Sequence, residues 1–497
     1  MMEMLPFFVV IPLGASFLAA LLGRKIRNAS DYTANLAALA LLFFSLNSLG
    51  LVSAYKTIVY RLGGWMPGIG ISLVLDGLSS FMLVTVNLIS FLVTVYSISY
   101  MRRYTDKWKF HALFMLMLAG MNGMILSGDI FNLYVFLEMA SISGYVLVAF
   151  GTEAQDLEAS FKYAIMGALA SIFILLGIAL LYSYTSTLNM ADISFALADR
   201  PRSIVVSFVC VLFLAGFGLK AALVPFHAWL ADAHSCAPTP VSAMLSGVLI
   251  KVLGVYALMR IFFNVLGVSN SILGILMFLG AVSMLVGVLL AVAQWDFKRL
   301  LAYHSISQIG YVVLGIGLGT PLGILGGLFH LFNHSIFKSL LFLNSGAVEY
   351  SLGTRDLKEM GGLREKMPVT ANTSLIASVS ISGIPPFNGF WSKIIIIFAC
   401  IQANHFGYAL CAVAASILTL VSFMKVQKYA FMGKISEKWQ KIKEVPLAMQ
   451  LSMIILALIC VAGGLMLIPP CRPFLQSAAD ALSAGNGYKE AVFAALR

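Results

Sequence analysis

The sequence predicts an all-α polytopic membrane protein of about fourteen transmembrane helices, two of them broken, and three observations carry that prediction. Hydrophobic residues make up 60% of the 497 and charged residues only 11%, with a mean hydropathy of +0.94, whereas soluble domains carry about 25% charged residues. Apolar runs of roughly 20 residues, enough to cross a bilayer as a helix, recur from end to end. Two of the runs are over-long and carry proline near the middle. No polar stretch between runs exceeds about 20 residues, so there is no room for a separate soluble domain.

The predicted spans are residues 4–22, 33–54, 73–98, 110–127, 130–150, 160–184, 203–233, 240–260, 270–293, 300–317, 322–348, 369–402, 407–430 and 447–467. Span 1 lacks a basic leader and a small-residue cleavage site, and reads as a retained helix. Between spans 2 and 3, Gly63-Gly64-Trp65 and Pro67-Gly68 mark an external hairpin with an interfacial tryptophan. Alternate loops differ in charge. Arg24, Lys25, Arg27, Arg102, Arg103, Lys107, Lys109, Lys298, Arg299, Arg355, Lys358, Arg364, Lys366, Lys434, Lys438, Lys441 and Lys443 fill one set; the other holds little beyond Lys56, Arg61, Arg200 and Arg202. The positive-inside rule makes the first set cytoplasmic and puts both termini outside, in agreement with an even span count. This loop bias also accounts for the net charge of +11 without any nucleic-acid partner. Beyond span 14, Cys471 to Arg497 reads as a short, mildly amphipathic external tail.

Spans 7 and 12 would reach about 46 and 51 Å unbroken, against a hydrocarbon core of roughly 30 Å. Pro225 interrupts the first, Pro385 and Pro386 the second. Proline removes a helix hydrogen bond and clashes with the carbonyl four residues back, so carbonyls near Ala221, Ile381 and Ser382 should be released. Broken helices persist at this depth only where protein or water satisfies the backbone. Both breaks share a pattern, Pro225-Phe-His-Ala-Trp229 and Pro386-Phe-Asn-Gly-Phe-Trp391, and they stand five spans apart. An odd interval inverts a repeat, the arrangement many transporters build around a midplane site; chance recurrence of proline and aromatics is the competing reading. The organisation expected is an N-terminal unit over 1–109, five-helix repeats over 110–260 and 270–430, and a last span with its tail over 431–497.

Lys220, Lys251, Lys393 and Glu138 lie inside spans, where a charge costs roughly 3 kcal/mol at the helix centre unless it is paired or hydrated. Glu138 is central in span 5 and suits a counter-ion to lysine; a protonated glutamate bonding a carbonyl is the alternative. Lys220 ends the first half of span 7, where the helix dipole favours an ammonium, whereas Lys393 follows Pro386 on the N-terminal side of a half-helix, where the dipole disfavours it. Lys220 should therefore hold its proton more firmly. Lysine, unlike arginine, can give up its proton when buried. Snorkelling to an interface is the bland reading for these lysines, and central positions oppose it. His330, His334 and Lys338 share one face of span 11, as a proton relay, as hydrogen-bonded core histidines, or as a metal pair, although no H-E-x-x-H glutamate or nearby cysteine supports a metal. His227, His234 and His304 are weaker candidates. The six cysteines form no C-x-x-C pair, so no cofactor or metal is expected and any redox chemistry belongs to a partner.

At these residues the chain resembles the antiporter-like subunits shared by Mrp-type cation/proton antiporters, membrane-bound hydrogenases and respiratory complex I. The motifs carrying the resemblance are Gly120-Met-Asn-Gly123, Gly128 through Glu138, Gly218-Leu-Lys220 through Leu230, Ala237-Pro-Thr-Pro-Val-Ser-Ala243, Leu300 through Gln308, His330 through Lys338, and Gly383 through Lys393. The resemblance implies fourteen helices with inverted repeats in helices 4 to 8 and 9 to 13, and a polar axis with Glu138, Lys220, Lys251 and Lys393 in the family's ionisable positions. Lysine at 393 and the Asp129-Ile-Phe-Asn-Leu133 run look most like the Mrp D subunit and its hydrogenase counterpart. The long lateral helix that ends the distal complex I subunit is absent, which argues for an inner place in a stack. The function expected is that of a proton-translocating, or Na+/H+-translocating, subunit of a multisubunit complex in the cell (inner) membrane. Such a chain has no catalytic chemistry of its own. The rival is a pumping subunit of a hydrogenase or quinone oxidoreductase; a single-chain solute transporter fits less well, because no substrate pocket is legible.

Overall fold

The computed structural model describes residues 2–26, 28–65, 70–198, 203–485 and 487–496, and each of the fourteen predicted spans has a helical counterpart there. Pro67, Gly68, Arg27, Arg200 and Arg202 lie outside the described residues. Helices α1 (Phe7–Leu22) and α2 (Ala29–Tyr55) lead to a hairpin, β1 (Ile58–Arg61) paired antiparallel with β2 (Ser72–Leu75), with Ile58 opposite Leu75 and Arg61 opposite Ser72. The hairpin matches expectation, but it takes the first residues of predicted span 3. Asp76 ends the strand and starts α3 (Gly77–Tyr100) with a reciprocal cap, accepting from Ser79 N at 2.9 Å while its own N–H donates to Ser79 Oγ at 2.7 Å.

The chain continues through α4 (Lys107–Leu126), α5 (Ile130–Val148) and α6 (Ala154–Thr185), then a short α7 (Met190–Ala198) that the hydropathy pattern does not announce. Span 7 is two helices, α8 (Ile204–Lys220) and α9 (Ala228–Cys236). Next come α10 (Thr239–Val265), α11 (Asn270–Val292), α12 (Phe297–Gly317) and α13 (Pro321–Leu352). Helix α10 outruns its predicted end because Ile261, Phe262, Phe263 and Val265 remain buried. Span 12 is also two helices, α14 (Pro368–Ser382) and α15 (Asn388–Gln402). The remaining elements are α16 (Phe406–Phe431), α17 (Leu447–Leu467), and two tail helices, α18 (Arg472–Ser483) and α19 (Gly487–Leu496). The tail is therefore docked structure: Leu475, Ala478, Ala479 and Leu482 are buried, and Arg61 of the hairpin donates to Leu496 O at 2.7 Å.

Burial divides the bundle into a centre and a rim. Helices α3, α10, α12 and α13 are covered on nearly all sides, whereas α2, α6, α11, α16 and α17 keep an outward apolar face, as lipid-facing helices do. One device occurs twice. Asp129 caps α5 through Asn132 N, and its neighbours form a two-bond bridge to the segment after α6, Ile130 N to Leu188 O and Met190 N to Gly128 O, both 2.9 Å. Asp296 caps α12 through Arg299 N, and an identical bridge follows α13, Phe297 N to Arg355 O and Leu357 N to Trp295 O, both 3.0 Å.

A buried ion pair ties the centre to the tail. Arg260 on α10 grips Asp76 with both terminal nitrogens, at 2.7 and 2.8 Å, and packs against the rings of Tyr256 and Tyr488. Asn264 donates to Ala481 O at 3.0 Å. Removing one partner strands the other's charge in the interior, a loss of about 3–5 kcal/mol. Asp76→Ala should therefore lower the melting transition of the detergent-solubilised protein sharply, and adding Arg260→Met should recover much of the loss; an unchanged melt in Asp76→Ala would contradict this role.

Candidate functional site

Lys220 is the last residue of α8, and its side chain crosses to α5. Its Nζ donates to Ser141 Oγ at 3.0 Å and Tyr145 Oη at 3.2 Å and lies 3.6 Å from Glu138 Oε1. Ser141 and Tyr145 stand one and two turns beyond Glu138, so a single face of α5 presents all three oxygens. Ser171 of α6 also donates to Glu138 Oε1. Lys220 is buried, while the Glu138 side chain is 25% exposed, in line with the outward residues Val135 and Ile142.

After Lys220 the chain leaves helical geometry. Ala222 adopts a left-handed φ of 54°, and Val224 N donates to Ser283 Oγ of α11 at 3.0 Å. Trp229 reaches back across the break to Leu219 O at 3.3 Å. Helix α10 packs directly on this break, because Gly254 has no side chain to keep it away: a Cβ there would stand 2.4 Å from Ala221 N.

Lys251 lies within wide π turns of α10 that span Leu245–Leu249 and Lys251–Tyr256, an irregularity concentrated at functional sites. Its Nζ donates to Ser246 O and Gly247 O, both at 2.6 Å. The ammonium is thus solvated by its own helix, deep in the protein, and does not snorkel.

His330, His334 and Lys338 are all fully buried on α13. The two imidazoles are nearly parallel with centroids 6.3 Å apart. His330 Nδ1 is 2.9 Å from Ser392 Oγ on α15 and Nε2 is 3.2 Å from Gln308 Oε1 on α12. Among the described residues, neither nitrogen of His334, nor Nζ of Lys338, nor either nitrogen of His234 has a hydrogen-bonding partner. Buried polar atoms rarely go unpaired, and these cluster in the centre of the bundle.

Lys393 turns back across the second break. Its Nζ donates to Ile381 O at 2.7 Å, lies 3.3 Å from Ser416 Oγ and stands 4.7 Å from the Tyr311 ring centroid. Ser416 Oγ donates in turn to Ser382 O at 2.8 Å, so the two carbonyls freed by the proline pair are taken by a lysine and a serine. The Tyr311 ring lies 5.2 Å from that of His330. The helix dipole acts on Lys393 in the opposite sense to the one its sequence position predicts. Its backbone belongs to the N-terminal part of α15, but its ammonium sits on a last-turn carbonyl of α14, at the negative end of a half-helix. What separates the two lysines is the carboxylate beside Lys220.

The expected residues thus form two assemblies, Glu138 with Lys220, and His334, His330 and Lys393 in succession, the last two joined through the ring of Tyr311, which the sequence did not single out. Lys251 and Lys338 stand between them without a side-chain hydrogen bond to either among the described residues. Of the weaker candidates, His304 bonds Ser422 Oγ at 2.8 Å and His227 is half-buried at the first break. Sequence reasoning missed Ser141, Tyr145, Ser171, Gln308, Tyr311, Ser392 and Ser416. Spacing from Glu138 could have found the first two; the others lie on different helices from the site groups they meet, Ser392 included, which adjoins Lys393 in sequence but bonds His330.

Residues 127–419 match the family described as "NADH:quinone oxidoreductase/Mrp antiporter, TM", and residues 65–111 match "NADH-Ubiquinone oxidoreductase (complex I), chain 5 N-terminus". The chain is 37% identical over 380 residues to the D subunit of a Na(+)/H(+) antiporter of Alkalihalophilus pseudofirmus, covering 76% of each chain. It is 37% identical over 438 residues to the N subunit of the NADH-quinone oxidoreductase of Desulforudis audaxviator, covering 85% of each. Among solved structures, a chain of the Mrp complex from a Dietzia species superposes with a TM-score of 0.91 at 29% identity, covering 99% of both.

The packing of α10 separates two glycine substitutions. Gly254→Ala drives a Cβ into the backbone of the first break and should cost about 1–3 kcal/mol. Gly247→Ala meets only Ser339 Oγ, at 2.2 Å, which can rotate away. Thermal melts should rank Gly254→Ala well below Gly247→Ala, and equal melts would show that α10 does not rest on the break.

Proposed function

We infer the function from one premise: the chain belongs to the NADH:quinone oxidoreductase/Mrp antiporter family of membrane proteins. It is a multi-pass membrane protein, and the reading that fits its interior best is a proton-translocating subunit of a multisubunit complex, most like the D subunit of a Na+/H+ antiporter. The observation that carries this is the Lys220–Glu138 pair, 3.6 Å apart at a helix break. At an effective dielectric near 20, forming or parting such a pair is worth about 4 kcal/mol, enough to decide whether a buried lysine keeps its proton. Lys220 and Glu138 would load and release at one end, Lys251 and Lys338 would pass the proton through the hydrated centre, and His334, His330 and Lys393 would deliver it at the other.

The twin bridges at Asp129–Asn189 and Asp296–Asp356 support two five-helix units, over 110–260 and 270–430, related by inversion. Each would place its break, with its lysine, at the same depth. The charge bias of the loops supports a cytoplasmic face for the Lys- and Arg-rich side and outward termini, in a cell membrane. A carboxylate at mid-membrane that is one quarter exposed among outward apolar residues is costly against lipid, which supports a neighbouring membrane subunit over the α5 face. Similarity to a quinone oxidoreductase subunit of equal identity favours one second reading, the same route driven by electron flow in a redox complex.

Lys220→Ala should abolish proton movement by the assembled complex in vesicles while the complex still purifies intact. Lys220→Arg should fail as well, because arginine keeps its proton. Full transport by the double variant Lys220→Ala/Lys393→Ala would refute the route. Identification of the co-purifying subunits, metal-cluster proteins or only small membrane proteins, separates the redox reading from the antiporter reading.

A further inference from the structure

A groove outside the charged route runs between α14 and the end of α16. It has a cavity volume of about 460 Å³, and its walls are almost wholly apolar, including Leu375, Val379, Leu420, Val421 and Met424. Two lysines, Lys425 and Lys428, stand on the same wall. Lys425 Nζ donates to Val292 O at 2.7 Å and Gln294 O at 2.5 Å, carbonyls at the end of α11, and lies 4.9 Å from the Trp295 ring centroid. Lys358 approaches the same indole at 4.8 Å, and Tyr429 meets it edge-on at 5.0 Å. Among the described residues no carboxylate pairs with Lys425, Lys428 or Lys358. An apolar slot therefore opens beside unneutralised ammonium groups and an aromatic pair, on the lysine-rich side of the membrane.

We propose that this groove binds an anionic phospholipid, with one acyl chain lying along Val379, Leu420 and Val421 and the phosphate held by Lys428 and Lys425. Basic pockets between transmembrane helices recognise lipid headgroups in this way. A phospholipid supplies both features the groove lacks, hydrocarbon for the slot and an anion for the lysines; a partner helix would need an acidic side chain at the headgroup level to do the same. The lipid would also bear on the second helix break. Ser378 and Ser382 line the groove in the last turn of α14, and Ser382 O accepts from Ser416 Oγ, which neighbours Lys393 Nζ. A tail seated there braces the backbone that holds this lysine.

The test uses the assembled complex in nanodiscs containing brominated phosphatidylglycerol or brominated phosphatidylcholine, with the Trp295 signal isolated by subtracting a Trp295→Phe sample. Phosphatidylglycerol should quench Trp295 at lower mole fraction than phosphatidylcholine. Lys428→Gln should remove about five-fold of that preference, as expected for one lysine at an anionic surface. A second variant, Val421→Phe, fills the slot without touching a charge or adding an indole and should abolish quenching by both lipids. Equal quenching by the two lipids, a preference unaltered by Lys428→Gln, or no quenching by either because another subunit covers the groove would each overturn the proposal. None of these readouts depends on transport.

Discussion

An ammonium group inside hydrocarbon has to be given oxygen, and the fold is arranged around that requirement. Each lysine in the interior meets it differently. Lys220 has a carboxylate and two hydroxyls from α5. Lys251 folds back onto carbonyls that π turns of its own helix present. Lys393 takes a carbonyl that a proline pair has released. Lys338, among the described residues, has none of these; its Nζ lies 5.7 Å from the Phe342 ring centroid, a setting in which water is the natural source of oxygen. These solutions differ in the number and kind of oxygens they offer, from a carboxylate with two hydroxyls to a single released carbonyl.

Most of the fold was legible because hydropathy and helix-breaking residues report directly on what the bilayer demands. The fourteen spans, both breaks and the hairpin follow from apolar run length, from Pro225, Pro385 and Pro386, and from the glycines before Trp65. Polar solutions inside apolar helices were less legible. Residues 73–75 read as the start of a span because a strand buried on both faces is as apolar as a helix. The amphipathic tail was visible, but its docking was not, since the contacts that hold it come from Asn264 and Arg61, far away in sequence.

The charged residues of the site were legible for a related reason: a charge in an apolar run is conspicuous. The neutral partners were not. Ser171, Gln308 and Tyr311 look like ordinary residues of membrane helices until folding brings them to Glu138, His330 and Lys393. Lys393 shows the limit most clearly. Its position along the helix suggested one electrostatic environment, and the flexibility of a four-carbon side chain beside Gly383, whose φ is +78°, delivered another.

The Asp76–Arg260 clasp carries a consequence for biosynthesis. The two residues are 184 positions apart in the chain, and at roughly 5–20 residues per second a ribosome needs on the order of 10–40 s to travel from one to the other. Through that interval the acid at the head of α3 has no arginine to pair with, because Arg260 does not yet exist. The clasp between α3 and α10 therefore closes only after α10 has been made, and the two helices meet across everything translated between them.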